Sequence, residues 1–361
     1  MPRVLVITGM HRSGTSLVAS LFHKAGVHLG AQLLAPQQGN NPLGFFEDVE
    51  FIQFHTDALQ ARGQEILVTR DFSFHATDAE TQRARAIIAA RAAYPLWGWK
   101  DPRTTLCLDF WRALLPDARY LFVYRHPLDV LLSLARRSQV VGFDFYAGLE
   151  AWYAYNRALL VFAQQYPEIT VVSSSYALVE QIEAFNAALA QKFDLSLSLN
   201  AAVRDEIFQA ELLSRPPHPR AAQTLLEKIH PDAMQLYDAL QACTVLKHAE
   251  PLVQDTPEQN ALVQFVAQLP TPLNQGQRRA ILEILVALTD GALYERLARE
   301  HVEKTTALEI QRRAWERTAH ERAEIIRDQS AWAAPRLKYL ETLEANRIVR
   351  ALTRLGILPR G

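Results

Sequence analysis

Residues 4–22, VLVITGMHRSGTSLVASLF, limit the possible folds of this chain more than any other stretch. Val4-Leu5-Val6-Ile7 is a short, continuous apolar run, the pattern of a central parallel strand covered on both faces. A loop bounded by Gly9 and Gly14 follows. Then Leu17, Val18, Leu21, Phe22 and Ala25 recur at helical spacing, and Gly26 suits the helix end. The loop has the outline of a phosphate-binding P-loop, G-x-x-x-x-G-K-[ST]. Thr15 stands in the lysine position, and an arginine, Arg12, lies inside the loop. Two glycines let the backbone turn its N–H groups toward one point, and the helix that follows adds its positive end. The Thr15 and Ser16 hydroxyls can donate to the same anion. A nucleotide triphosphatase needs the missing lysine and holds Mg²⁺ through its Ser/Thr. A cation at Arg12 suits a diphosphate-like group better. A turn with a purely structural role is the competing reading.

Further along, PLWGWKDPR (95–103) predicts a strand ending at Lys100, with a helix over about 104–115. ARYLFVYRHP (118–127) predicts a second clear strand, and Pro127 fits the first turn of the helix after it. YNRALLVFAQQY reads as helix and EITVVSSSY (168–176) as another strand. Residues 47–63 also read as helix. Strands alternating with helices predict an α/β fold, a P-loop-type three-layer parallel sheet flanked by helices. Residues 30–46 are rich in Gly, Asn, Gln and Pro and read as a long loop of the kind that carries function. Past about residue 195 the text is almost entirely helical, with proline breaks. Charged pairs at i,i+4, such as Glu295/Arg299 and Glu309/Arg313, mark the end of the chain as a solvated helical appendage, a dimerisation arm or a docking module.

Composition narrows the function classes. Hydrophobic residues make up 49% of the 361 and charged residues 21%, and the net charge is -1. Global charge therefore favours neither nucleic acid nor membrane as a partner. Two cysteines, Cys107 and Cys243, exclude a disulfide framework and a four-cysteine metal site. With no leader and no long apolar span, a soluble cytoplasmic protein is expected.

YLFVYRHPLDVLLSLARR places Arg125 at the end of a strand and Ser133 eight residues on, inside the next helix. The carboxyl ends of parallel strands are where open α/β sheets bind ligands, and arginine offers a planar fork to phosphate. Alone, the pair is more often structural. Together with HRSGTS it resembles the sulfotransferases that use 3′-phosphoadenylyl sulfate (PAPS), in particular bacterial sulfotransferase-like proteins with GMHRSGTS, NPxGFFED and KDPR. The loop arginine is similar to that of protein-tyrosine sulfotransferases.

The resemblance covers about residues 1–245, a sulfotransferase-like P-loop domain, and leaves 246–361 as a helical C-terminal extension. It implies that Arg12, Ser13, Gly14, Thr15 and Ser16 hold the 5′-phosphosulfate and that Arg125 and Ser133 hold the 3′-phosphate. It implies PAPS as donor, PAP as product and no metal. Lys100 of WKDPR aligns with a lysine that stabilises the sulfonate, and Asp101 can orient Lys100 or Arg103. Glu47, just after the long loop and flanked by Phe45 and Phe46, is the preferred general base for the acceptor. Asp48 comes second, His11 is the runner-up, and a helix-capping acid pair is the bland reading. His55 reads as packing or surface, Trp152 and Tyr155 as core. Tyr176 is a weak match to an acidic pattern. The acceptor is left open among carbohydrate, lipid, peptide and phenol. A P-loop kinase or NTPase and a non-catalytic nucleotide-binding scaffold are the alternatives. A homo-oligomer or partner docking through the C-terminal helices is left open.

Overall fold

The computed structural model describes residues 3–36, 44–137, 143–207, 218–248, 252–293 and 295–296. Four parallel strands, β1 (Arg3–Thr8), β2 (Leu96–Lys100), β3 (Arg119–Tyr124) and β4 (Thr170–Ser174), form one sheet in the order β2-β1-β3-β4. Helices α1 (Thr15–Lys24), α2 (Val49–Gln60) and α3 (Asp78–Ala89) lie between β1 and β2. A 3-10 turn over Pro102–Cys107 and α4 (Leu108–Leu114) follow β2. Helices α5 (Pro127–Arg137) and α6 (Phe145–Gln165) follow β3. Beyond β4 come α7 (Ser175–Glu180), α8 (Ile182–Phe193) and α9 (Ala201–Ile207). Then come α10 (Arg220–Ile229), α11 (Pro231–Cys243), α12 (Pro257–Ala267) and α13 (Gln275–Thr289). The short strands β5 (His218–Pro219) and β6 (Leu252–Val253) pair in parallel.

The apolar runs form strands because both faces of the sheet are covered. On one face Leu5, Ile7, Leu121, Val123 and Val171 share a buried cluster with Val18 and Phe22 of α1 and Phe185 of α8. On the other, Tyr120 and Phe122 pack against Phe162 of α6, with ring centroids 4.9 and 5.8 Å away. Trp99 stacks on Phe51 of α2 at 4.3 Å and meets Trp111 of α4 at 5.0 Å. This is the predicted three-layer P-loop-type α/β fold, and every strand read from the sequence is present within a few residues.

Three helical details differ from the sequence reading. The segment read as helix over 104–115 starts as a 3-10 turn, because the Asp101 carboxylate caps Arg103 N at 2.9 Å and tightens the backbone. The segment read as helix over 47–63 is α2, which starts later, with Asp48 as its N-cap. Helix α3 was not anticipated, though Thr77 and Glu80 form a capping box at its start. Residues 37–43 of the long loop and 297–361 of the expected appendage lie outside the described residues. The compact unit that contains the sheet comprises Met1–Ser138 and Phe143–Asp290, so α12 and α13 belong to it. Among the described residues no helix is long and apolar enough to cross a membrane.

Candidate active site

Strand β1 ends at Thr8, whose hydroxyl donates to the Asp101 carbonyl at 2.8 Å and ties the loop start to the end of β2. Gly9 has φ +153°, and a Cβ there would run into the Val123 carbonyl of β3. Only glycine allows the loop to leave the sheet this close to its neighbour. Arg12 holds φ +70°, a left-handed conformation that costs a non-glycine residue energy and marks functional loops. Gly14 is the N-cap of α1, and no side chain caps the first amides of that helix.

Arg12, Arg125 and Ser133 come together. Arg12 Nε donates to Ser133 Oγ at 2.8 Å, and Arg125 Nη1 donates to the Arg12 carbonyl at 3.4 Å. Arg125 is aimed by Tyr176, whose hydroxyl accepts from Arg125 Nε at 2.8 Å and donates to Asp129 Oδ2 at 2.8 Å. Tyr176, a weak match in the sequence, is thus a support for Arg125. Burial, and then the charges of Arg137, Arg125 and Arg136, pull the Arg12 pKa down to about 9. That crowd of positive charge is relieved by an anion. Two buried polar atoms in the same loop, Ser13 Oγ and His11 Nε2, have no hydrogen-bond partner among the described residues. Buried polar groups are almost always paired, so both suit oxygens of a ligand.

Beside the loop lies a buried ion pair. Lys100 Nζ contacts Glu47 Oε1 and also donates to Ser16 Oγ at 3.0 Å and the Phe45 carbonyl at 3.2 Å. Arg103 Nη2 lies 3.4 Å from Glu47 Oε2. Lys100 and Arg103 each face one oxygen of the Glu47 carboxylate, and the Arg137 charge also acts on it, although the sequence places aromatic rings at its flanks. Lys100 thereby links Glu47 to the start of α1, and the two residues are 53 apart in sequence.

Asp48 is turned elsewhere. Its Oδ1 accepts from Glu50 N at 2.9 Å and caps α2, while its Oδ2 is gripped by Arg91 Nη2 and by Arg91 Nε at 3.1 Å. Asp48 and Arg91 are 1% and 2% exposed, so each is the counter-charge that the other needs to be buried. Asp48→Ala is expected to lower the unfolding free energy by about 3–5 kcal/mol, the usual cost of stranding a buried charge. Urea denaturation reads this as a lower midpoint. An unchanged midpoint would show that Glu50, 2.7 Å from Arg91, suffices alone.

The remaining residues sort by burial. Burial first, then Arg103, Lys100 and Arg12 against the opposing pull of Asp101, push the His11 pKa down to about 3. His11 is therefore uncharged and a weak base at neutral pH. His55 is fully buried, its Nδ1 2.9 Å from Asp101 Oδ2 and its Nε2 accepting from Trp111 Nε1 at 2.9 Å. Trp152 is core and donates to the Arg125 carbonyl at 3.1 Å. Tyr155 is also fully buried, 6.1 Å from the His11 ring. Arg91, Arg103, His55 and Trp111 have no part in the sequence reading of the site beyond Asp101 orienting Arg103. Apart from Asp101, two residues before Arg103, the charged and ring partners of these residues are distant in sequence, and no local spacing signals them.

The profile of the sulfotransferase family matches residues 2–199. Among solved structures, the chain is similar to sulfotransferase STF1 of Mycobacterium tuberculosis H37Rv, with 16% identity and a TM-score of 0.36 over 57% of this chain and 71% of that one. It is also similar to the sulfotransferase domain of the Synechococcus PCC 7002 olefin synthase, with 16% identity and a TM-score of 0.37 over 75% of this chain and 96% of that one. No curated protein sequence matches. With more than half of its length matched by the family profile and its glycine-bounded loop set on a parallel α/β sheet, this chain belongs to the sulfotransferase family.

Proposed function

We propose that the chain transfers a sulfuryl group from PAPS to an acceptor hydroxyl or amine, with Glu47 as general base. The observation that carries this reading is the pairing of a positively crowded loop, holding two unpartnered buried polar atoms, with the Lys100–Glu47 ion pair at its edge. The residues present fit the donor. The amides of residues 13–16, Arg12 and the Ser13, Thr15 and Ser16 hydroxyls hold its phosphosulfate, and Arg125 and Ser133 hold its 3′-phosphate. When bound, the donor supplies a sulfuryl group and leaves negative charge on a phosphate oxygen. Arg12 and Lys100 set positive charge where that charge grows. Lys100 exchanges Glu47 for the sulfuryl oxygens, and the freed Glu47 Oε1 takes the acceptor's proton.

Thermal unfolding tests the reading, with EDTA in the 3′,5′-ADP arm and without it in the arm with ATP and Mg²⁺. 3′,5′-ADP at about 100 Kd is expected to stabilise by about 2.7 kcal/mol, whereas ATP with Mg²⁺ gives a much smaller shift. Arg125→Ala is expected to weaken 3′,5′-ADP binding by about tenfold or more, as a charge-assisted phosphate contact is lost. A larger shift with ATP and Mg²⁺ would favour a kinase. Nucleotide binding without sulfuryl transfer to any acceptor pool would favour a scaffold.

A further inference from the structure

We propose that Arg103, Asp101 and His55 form a positioning chain that keeps the Glu47 carboxylate aimed once Lys100 turns away from it; the proposal rests on Glu47 acting as base. The geometry divides the work between the two cations in contact with the carboxylate, while Arg137 at the end of α5 adds its charge through space. Lys100 reaches Glu47 Oε1, Ser16 Oγ and the Phe45 carbonyl with three donors, so it faces the loop and the carboxylate at once. A lysine is a compact charge on a flexible stem and shifts between such partners. Arg103 has no such freedom. Its Nε donates to both Asp101 oxygens at 2.9 and 3.2 Å, and its backbone N donates to Asp101 Oδ1 at 2.9 Å. Its Nη1 reaches Thr56 Oγ1 at 3.4 Å, and Nη2 is left facing Glu47 Oε2 at 3.4 Å.

Asp101 is in turn fixed from behind. It is fully buried, and Oδ2 lies 2.9 Å from His55 Nδ1. The Trp111 indole only donates, and it donates to His55 Nε2 at 2.9 Å. The imidazole proton must therefore sit on Nδ1, where it points at Asp101. Burial opposes ionisation of Asp101, but Arg103 and His55 outweigh it and hold its carboxyl well below the usual range. The chain runs Trp111, His55, Asp101, Arg103, Glu47, with each link oriented by the one before it. This arrangement sets a base by its supports, as a carboxylate sets the histidine of other acid–base sites.

Two His55 variants separate positioning from packing. In His55→Asn the amide nitrogen falls where Nδ1 was and still donates to Asp101. In His55→Gln the longer amide reaches toward Trp111, and the donation to Asp101 is lost. Both remove a buried ring. His55→Asn is expected to keep kcat within about threefold of the parent, whereas His55→Gln and Arg103→Gln lose about 10- to 100-fold. Their 3′,5′-ADP affinity stays unchanged by calorimetry. The acid limb of kcat moves to higher pH in His55→Gln and Arg103→Gln, and not in His55→Asn. Equal losses in both His55 variants, or superimposable pH profiles, would overturn the proposal.

A readout independent of turnover is the ¹³C titration of the Glu47 carboxyl, assigned by its loss in Glu47→Gln. Its midpoint is expected to rise in His55→Gln and Arg103→Gln only. If no sulfuryl transfer occurs but that midpoint moves, the functional reading fails and the positioning chain stands. If transfer occurs and the midpoint stays, the chain fails alone.

Discussion

Glu47→Gln is expected to lower kcat by about 10²- to 10⁴-fold, the range lost with a general base, while 3′,5′-ADP affinity stays within about twofold. The amide matches the carboxylate in volume, so the packing around position 47 is kept. What disappears is the oxygen that can take a proton. The loss falls on kcat because Glu47 contacts Lys100 and Arg103 and, among the described residues, makes no hydrogen bond to Arg125 or Ser133, the residues proposed for nucleotide binding. Single-turnover transfer of labelled sulfate reads the rate, and calorimetry reads the affinity. An unchanged rate would move the base elsewhere. His11 is a poor heir, since burial and the cations around it hold its pKa at about 3.

Lys100→Met is expected to cost about 10²- to 10³-fold in kcat, as when one donor to a developing anion is removed. Methionine fills much of the same volume, so the loss reports charge more than packing. Lys100 is 2% exposed, and a buried ammonium costs several kcal/mol unless it is paired. Here the pair is Glu47, and in the variant Glu47 keeps Arg103 in contact and the more distant charge of Arg137. Stability therefore falls as well, by less than the roughly 3–5 kcal/mol of a fully stranded charge. Urea denaturation and single-turnover kinetics on the same samples separate the two effects. A variant that folds and turns over at the parent rate would sink the role of Lys100 at the sulfuryl group. The double variant with Glu47→Gln is expected to be less impaired than the product of the two singles, because the groups act as a unit.

What could be read from the chain follows from the range of each interaction. Strands β1 and β3 were legible because burial on both faces leaves a continuous apolar run. The loop, and separately Arg125 with Ser133, were legible because each motif is local, a turn or two of chain around the end of one strand. Helix α3 was not, because only Ala84 and Ile87 of it are buried and its apolar stripe is thin. The grip of Arg91 on Asp48 joins residues 43 apart, and that of His55 on Asp101 joins residues 46 apart. Such contacts exist only after the sheet has formed. Glu47 and Asp48, adjacent in sequence, were ranked but not separated. The fold parts them by turning one carboxylate to Lys100 and the other to Arg91.

The loop and Arg125 hang from adjacent strands. Thr8 of β1 is in register with Phe122 of β3, and Gly9 lies against Val123. Neighbouring strands sit about 4.8 Å apart, a spacing that backbone hydrogen bonds fix and side chains scarcely alter. Under the roles proposed above, the two seats for negative charge are therefore mounted on a rigid ruler. On the proposed reading, this protein selects its donor by the distance between two anionic ends before any contact with the base is made. A nucleotide charged at one end only spans half of that scale.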